Sequence, residues 1–476
     1  MLNLANKSIF PKKKGWGIIL EDDKESPRGL LARLLDFTLS NLDVFTYVRE
    51  RASIEKRGRE ITLVVGGERV ELGKRRIHLV SVGKAAPRMA DWACESIGED
   101  LLHTNIIVTT KDTPGPRECS GAELIRAGHP TPDHNSLRAG EEILSLARGM
   151  GEADAMLLLL SGGGSALMEV PYPPLSLDDL IETSRILLKT GMSIHEMNVV
   201  RKHVSRVKGG RLAAAAYPGL VLTLAVSDVP GDDLSVIASG PTVPDPTTFS
   251  DALHLLRDYG VYNEVPVRVR TLLEEGARGR VPETPKPGDK SLSRSRAWVV
   301  AKPIDLLLRI KHKAEEEGVR AVILTSSAMG ESREVAAFLA GVVRDIVKKY
   351  SDLRPPVAVL IAGETSVKVK AGGGWGGRNT ELVAWLSRFT SGMPCVDFFS
   401  LDTDGIDGTS PAAGAWGDSG LWRQALGKLR ELALEMLANN NTYTLLSRLG
   451  RLIITGPTGS NLNSITVIVA GDCGEQ

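Results

Sequence analysis

The clearest chemical signal is Ser161-Gly162-Gly163-Gly164-Ser165, directly after the apolar run Met156–Leu160. Consecutive glycines let backbone N–H groups approach an anion closely, and a turn at the end of a buried strand lies where a parallel sheet presents its ligand edge. The plain alternative is a tight strand-to-helix turn that holds nothing. Lys84, after the strand-like stretch Ile77–Val82 and a glycine, offers a cation to a carboxylate or phosphate at the same edge. The pattern GxxxxGK[ST] is absent, so any phosphate is held without that loop. In Asn198–Ala213 the helical spacing sets Arg201, Ser205 and Lys208 on one face, where two cations can clamp an anion, with Gly209-Gly210 interrupting the helix. A solvated basic stripe is the alternative there.

Two acidic clusters follow. Asp228, Asp232 and Asp233 close the stretch after Leu220, and Asp402, Asp404 and Asp407 lie in FFSLDTDGIDGTS. Carboxylates crowded at strand ends repel unless a cation or a bound hydroxyl offsets them, which points to a Mg²⁺ site with Asp228 and Asp402 as ligands. Asp404 is then the group that positions a substrate hydroxyl. An Asx-turn loop with incidental acids is the alternative, and the EF-hand pattern fails because its twelfth position is Ala413. Gly372, Gly374 and Gly377 spell GxGxxG, a weak match in so glycine-rich a stretch. Arg378 beside them can swing onto a transferring phosphoryl group. His195 and His203 read as structural or solvent-facing, having no metal-ligand neighbours.

Apolar runs alternating with helix-period segments must position these residues. Such repeated βαβ units imply an α/β fold with a mostly parallel sheet, and only Ile61–Leu72, turning at Gly66-Gly67, reads as a β-hairpin. The Pro-, Gly- and charge-rich stretch Gly276–Arg296 is the linker candidate. It divides the chain into 26–285 and 290–476, with residues 1–25 as an extension outside the fold. Lys+Arg and Asp+Glu both number 58, so no net field favours nucleic acid or an acidic membrane, and a small-molecule partner is expected. Cys94, Cys119, Cys395 and Cys473 are far apart with no zinc spacing, which suggests a reducing compartment. The apolar run Trp16–Leu20 is too short for a secretory signal or a membrane span, so a cytoplasmic location is expected.

In this order, SVGKAAPRMA, AGHPTPD, LLLLSGGGSALME, MNVVRKHVSRVKGGRLA, SDVPGDDLSVIASGPTVPDPTTF, GGRNTE, DTDGIDG and TGPTGSNLN resemble the glycerate 2-kinases of the MOFRL type. The resemblance implies a Rossmann-like N-terminal domain, a smaller α/β C-terminal domain and an active site in the cleft between them. It also implies phosphorylation of D-glycerate by ATP, giving 2-phosphoglycerate, and assigns Lys84 and Arg378 to catalysis. Backbone amides of Gly162–Ser165 and of the Lys208–Gly210 turn would hold phosphate or the substrate carboxylate, and a homodimer is left open. Lys302-Pro303 and Ser464 stand where the family has an asparagine-containing turn and an acid. Two other readings stay beside it: a hydroxypyruvate reductase using NAD(P)H through the GxGxxG-like stretch, and a non-catalytic binder of small hydroxy acids.

Overall fold

In the computed structural model, which describes residues 26–370 and 372–472, the chain separates into two units. Residues 44–301 form one; residues 26–43 join residues 302–472 in the other. The segment Gly276–Arg296, read from its composition as a linker, lies inside the first unit. The expected extension, residues 1–25, lies outside the described residues.

The first unit opens with an antiparallel sheet of β1 (Ala52–Arg57), β2 (Glu60–Val65) and β3 (Glu68–Gly73), so the expected hairpin is present with a third strand added. The main sheet follows: β4 (Arg76–Val82), β5 (Leu102–Thr110), β6 (Glu123–Ala127), β7 (Asp154–Leu160), β8 (Leu220–Val226) and β9 (Ser295–Ala301). Its order is β6-β5-β4-β7-β8-β9, and every pairing is parallel. Parallel neighbours need crossovers, and the periodic segments Ala86–Ile97 and His134–Arg148 supply two as helices. All seven residues of β7 are buried, as its unbroken apolar run requires for a strand covered on both faces. Leu158 and Leu160 share a core with Val80, Val108, Ala139 and Ile143, and truncating either leucine to alanine costs about 2–5 kcal/mol.

That strand order fixes where ligands bind. The chain runs from β4 outward through β5 to β6, then restarts at β7 and runs the other way to β9. The reversal between β4 and β7 leaves a crevice at their carboxyl ends, the usual ligand position in an open α/β sheet. Val82 and Leu160 are paired there, immediately before Lys84 and the glycine loop.

The second unit holds β10 (Arg320–Ala328), β11 (Val357–Gly363), β12 (Val396–Asp402), β13 (Gly414–Asp418), β14 (Leu452–Ile453) and β15 (Ser464–Ala470). Its order is β10-β11-β15-β12-β13-β14, and only β10 with β11 is parallel. The mostly parallel expectation thus describes the main sheet of the first unit alone. The last strand, β15, inserts antiparallel between β11 and β12, a pairing that hydrophobic period does not encode. The helix Pro27–Ser40 docks on this unit, with Arg28 bonded to Asp397 at 3.3 Å and Asp418 at 2.8 Å.

Cys94 and Cys119 are joined by a disulfide with their Cα atoms 5.7 Å apart, so cysteine usage no longer argues for a reducing compartment. Sequence separation hid the pair because the segment between β5 and β6 runs back along the helix that carries Cys94, where the Arg117 and Glu118 N–H groups donate to Asp91. Among the described residues, no helix is long and apolar enough to cross a membrane.

Candidate active site

The loops after β4 and β7 are stitched together by backbone. The N–H of Ser161 donates to Val82 O at 3.0 Å, that of Lys84 to Gly162 O at 2.9 Å, and that of Ala85 to Ser161 Oγ at 3.0 Å. Gly83 permits this approach: its φ is +135°, and a Cβ there would lie 2.1 Å from Ser161 Oγ. Ser161 is consequently fully buried and spends its hydroxyl on the loop, while Lys84 and Ser165 are half-buried. Gly162 and Gly163 donate their N–H groups to no acceptor among the described residues. A Cβ on Gly163 would lie 3.0 Å from the His129 ring and 3.6 Å from Lys84 Cγ, so all three meet at this edge. Crowding by its surroundings and the Lys84 charge push the His129 imidazole down to about 4, leaving it neutral at pH 7.

Beside this loop, Ser165 Oγ lies 2.7 Å from Ser239 Oγ, which donates to Asn198 Oδ1 at 2.9 Å. Ala238, Ser239 and Gly240 all have positive φ, a strained run held by the N–H groups of Gly209, at 3.0 Å from Ser239 O, and Gly210, at 2.7 Å from Gly240 O. The Gly209-Gly210 amides, expected to bind an anion, therefore brace that run instead. The helix Ile194–His203 also ends before Ser205, so the expected clamp along one helical face does not form. Lys208 is fully buried in an ion pair with Glu169, which also accepts the Ser205 hydroxyl at 2.6 Å. Burial pushes the Lys208 ammonium down and Glu169 opposes the shift. Of the expected basic pair, only the half-buried Arg201 makes no ion pair among the described residues.

In the second unit, Arg378 opens the helix Arg378–Phe389. Its Nε donates to Ser464 Oγ at 3.0 Å, Nη1 to Glu364 Oε1 at 2.6 Å, and Nη2 to the buried Asp402 carboxylate. Against the cost of burial, Asp402, Glu364, Asp407 and Asp404 raise its pKa, so the guanidinium is permanently charged. Ser464, unexpected by the family pattern, is thus one of the atoms that aim the fork. Asp407 caps the helix from outside, accepting the N–H groups of Asn379 at 2.9 Å and Thr380 at 2.8 Å. Gly377 lets it approach, since a Cβ there would lie 2.3 Å from the Asp407 backbone. Asp404 sits half-buried at the end of β12, its Oδ1 accepting the Ile406 N–H at 2.9 Å.

Asp228 and Asp402, expected as a metal pair, end strands in different units. No group of three carboxylate or imidazole ligands gathers around either among the described residues. Mg²⁺ commonly takes one or two carboxylates and completes its shell with phosphate oxygens and water, so the strand-end aspartates still fit it. The glycines of the GxGxxG-like stretch have packing roles: a Cβ on Gly374 would lie 2.3 Å from Asn441, and one on Gly376 2.5 Å from Thr442. Fourteen residues separate β11 from the following helix, unlike the direct strand-to-helix turn of a dinucleotide site.

Residues 30–274 match the domain of unknown function DUF4147, and residues 357–464 match the MOFRL family. The glycerate 2-kinase of Pyrococcus horikoshii is 38% identical over 410 residues, spanning 86% of this chain and 90% of that protein. The chain belongs to the MOFRL-type glycerate 2-kinase family. A crystal structure of glycerate kinase from Thermotoga maritima superposes with a TM-score of 0.76 at 35% identity, covering 93% of this chain and 99% of that one. A protein of Agrobacterium vitis described as a putative hydroxypyruvate reductase is 36% identical over 405 residues, covering 84% of this chain and 89% of its own. Within this glycerate 2-kinase framework, His129, Glu169 and Ser239 are the site groups that motif reading passed over. Glu169, an acid set in the apolar run after the glycine loop, was the one visible signal.

Proposed function

We propose that this family member transfers the γ-phosphoryl group of ATP to D-glycerate, giving 2-phosphoglycerate. The observation that carries the reading is the stitching of Lys84 to the glycine loop at the reversal point of a parallel sheet. The N–H groups of Gly162 and Gly163 hold an anionic oxygen, with the Lys84 ammonium beside it and the Ser165 backbone N–H as a further donor. Arg201 supplies a second cation, while Ser161, Lys208, Gly209 and Gly210 hold the loops in shape. Arg378, fixed by Ser464, Glu364 and Asp402, offsets the charge of the in-line transition state. Its fork is ordered before substrate arrives, so little reorganisation is needed. Asp404 orients the acceptor hydroxyl. Mg²⁺ carried on the nucleotide would be held by Asp228 of the first unit and would neutralise phosphate charge. Asp402, bonded to Arg378, serves that arginine rather than the metal.

A cytoplasmic location is kept in this proposal, since disulfides also occur inside hyperthermophile cells. The name of the Agrobacterium relative favours a reductase as the second reading, and the packed glycines count against it. The discriminating test incubates the chain with D-glycerate, ATP and Mg²⁺, or with hydroxypyruvate and NADH. ADP release that depends on glycerate and disappears in Lys84→Ala supports the kinase; NADH oxidation without ADP release overturns it.

A further inference from the structure

Outside the Lys84 loop, the first unit contains a cavity of about 630 Å³ between the helix His134–Arg148, the helix Arg211–Ala216 and the segment around residues 283–291. Its size falls within the range of small-molecule sites. Three guanidinium groups line it: Arg148, Arg206 and Arg211. Neither Arg148 nor Arg206 makes an ion pair or hydrogen bond through its side chain among the described residues. Arg211 stacks 5.0 Å from the Tyr172 ring centroid and donates from Nη2 to Pro282 O at 3.1 Å, while its buried Nε has no acceptor.

Two carboxylates share the lining, and both are engaged elsewhere. Glu283 accepts the Phe249 N–H at 2.9 Å, His203 Nε2 at 3.2 Å and Lys286 Nζ at 3.2 Å. Asp289 accepts the N–H and the hydroxyl of Ser291, each at 2.8 Å. The cavity is therefore cationic on balance. Guanidinium forks match the oxygens of phosphate in pairs, which ammonium groups do not.

We propose that this cavity binds a small dianion, a phosphate or phosphomonoester, at a site separate from the Lys84 loop. The proposal rests on the cavity's own geometry and is independent of the reaction assigned above. Its walls continue into the loop support: Tyr172 N–H donates to Val204 O and Arg206 N–H to Val170 O, each at 2.9 Å, on either side of the Glu169–Lys208 ion pair. An occupant of the cavity thus contacts the segments that brace the glycine loop.

The test titrates the full chain carrying Lys84→Ala, which weakens the other anion site, with inorganic phosphate and separately with glycerol 2-phosphate by calorimetry. Saturable binding of either probe is expected, weakened about tenfold or more by Arg148→Gln with Arg206→Gln. Binding of the ester alone assigns the site to phosphomonoesters; binding of both assigns it to phosphate itself. The Arg211 Nε–H resonance, followed by NMR without the double substitution, is expected to shift along the same titration. No saturable binding, binding unchanged by the double substitution, or an unmoved Arg211 resonance overturns the proposal.

Discussion

The backbone N–H of Lys84 donates to the carbonyl of Gly162 at 2.9 Å, which makes the loops after β4 and β7 a single rigid element. A cation and a glycine turn that are 78 residues apart in sequence thereby reach one sheet edge. Their relation is set by main chain and the Ser161 hydroxyl, so a change of the Lys84 side chain tests chemistry rather than folding.

Lys84→Ala is accordingly expected to lower kcat by about 10²–10³-fold with an unchanged circular dichroism spectrum. Arg378→Lys keeps the charge but loses the fork that Ser464, Glu364 and Asp402 accept, and a comparable loss is expected. Steady-state rates within threefold or so of the parent, in roughly the range of experimental scatter, would remove these residues from the mechanism.

Asp407 makes a different prediction, about stability. Asp407→Ala leaves the N–H groups of Asn379 and Thr380 unpaired in a buried setting and takes one acceptor each from the Asn379 amide and the Thr380 hydroxyl. The expected loss is about 2–4 kcal/mol in denaturant unfolding, with Asp407→Asn losing less because one acceptor oxygen survives. Equal stability of Asp407→Ala and the parent would refute the capping role.

The Asp397 carboxyl, raised to about 6 by burial, gives the pH dependence a definite sign. The neighbouring Arg28 opposes that shift and Asp418 reinforces it. The folded protein holds this proton more tightly than the unfolded chain, whose carboxyl titrates near ~4. Stability linked to Asp397 therefore falls as pH climbs from about 4 to about 6, by roughly 2–3 kcal/mol. Asp397→Asn is expected to flatten that part of the stability–pH curve, and an unchanged slope would contradict the assignment.

His129 is expected to stay neutral until the pH falls to about 4. Its ring resonances, followed by NMR, should titrate well below those of an exposed histidine, and a midpoint near ~6.5 would show that neither crowding nor Lys84 acts on it.

Much of the first unit was legible because parallel strands buried on both faces declare themselves as unbroken apolar runs, as Met156–Leu160 does. The glycine loop and Lys84 were legible for the same reason, since both follow directly from such strands. The Lys208–Gly210 turn misled because helical spacing was extended past His203. The chain instead turns there, and Glu169, from beside the glycine loop, takes the lysine that spacing had offered to an anion. Asp402 misled in a similar way: its carboxylate looks like a metal ligand until Arg378 arrives from the start of a helix. Partners brought by tertiary folding, such as Cys119 for Cys94 or β15 between β11 and β12, leave no local trace.

The most direct measurement is the phosphorus NMR spectrum, without proton decoupling, of the product formed from D-glycerate, ATP and Mg²⁺. The account predicts a phosphomonoester signal split into a doublet by the single proton on C2, appearing together with ADP and absent with Lys84→Ala. A triplet would place the phosphate on C3, and no new phosphomonoester at all would contradict the assignment of these residues to phosphoryl transfer.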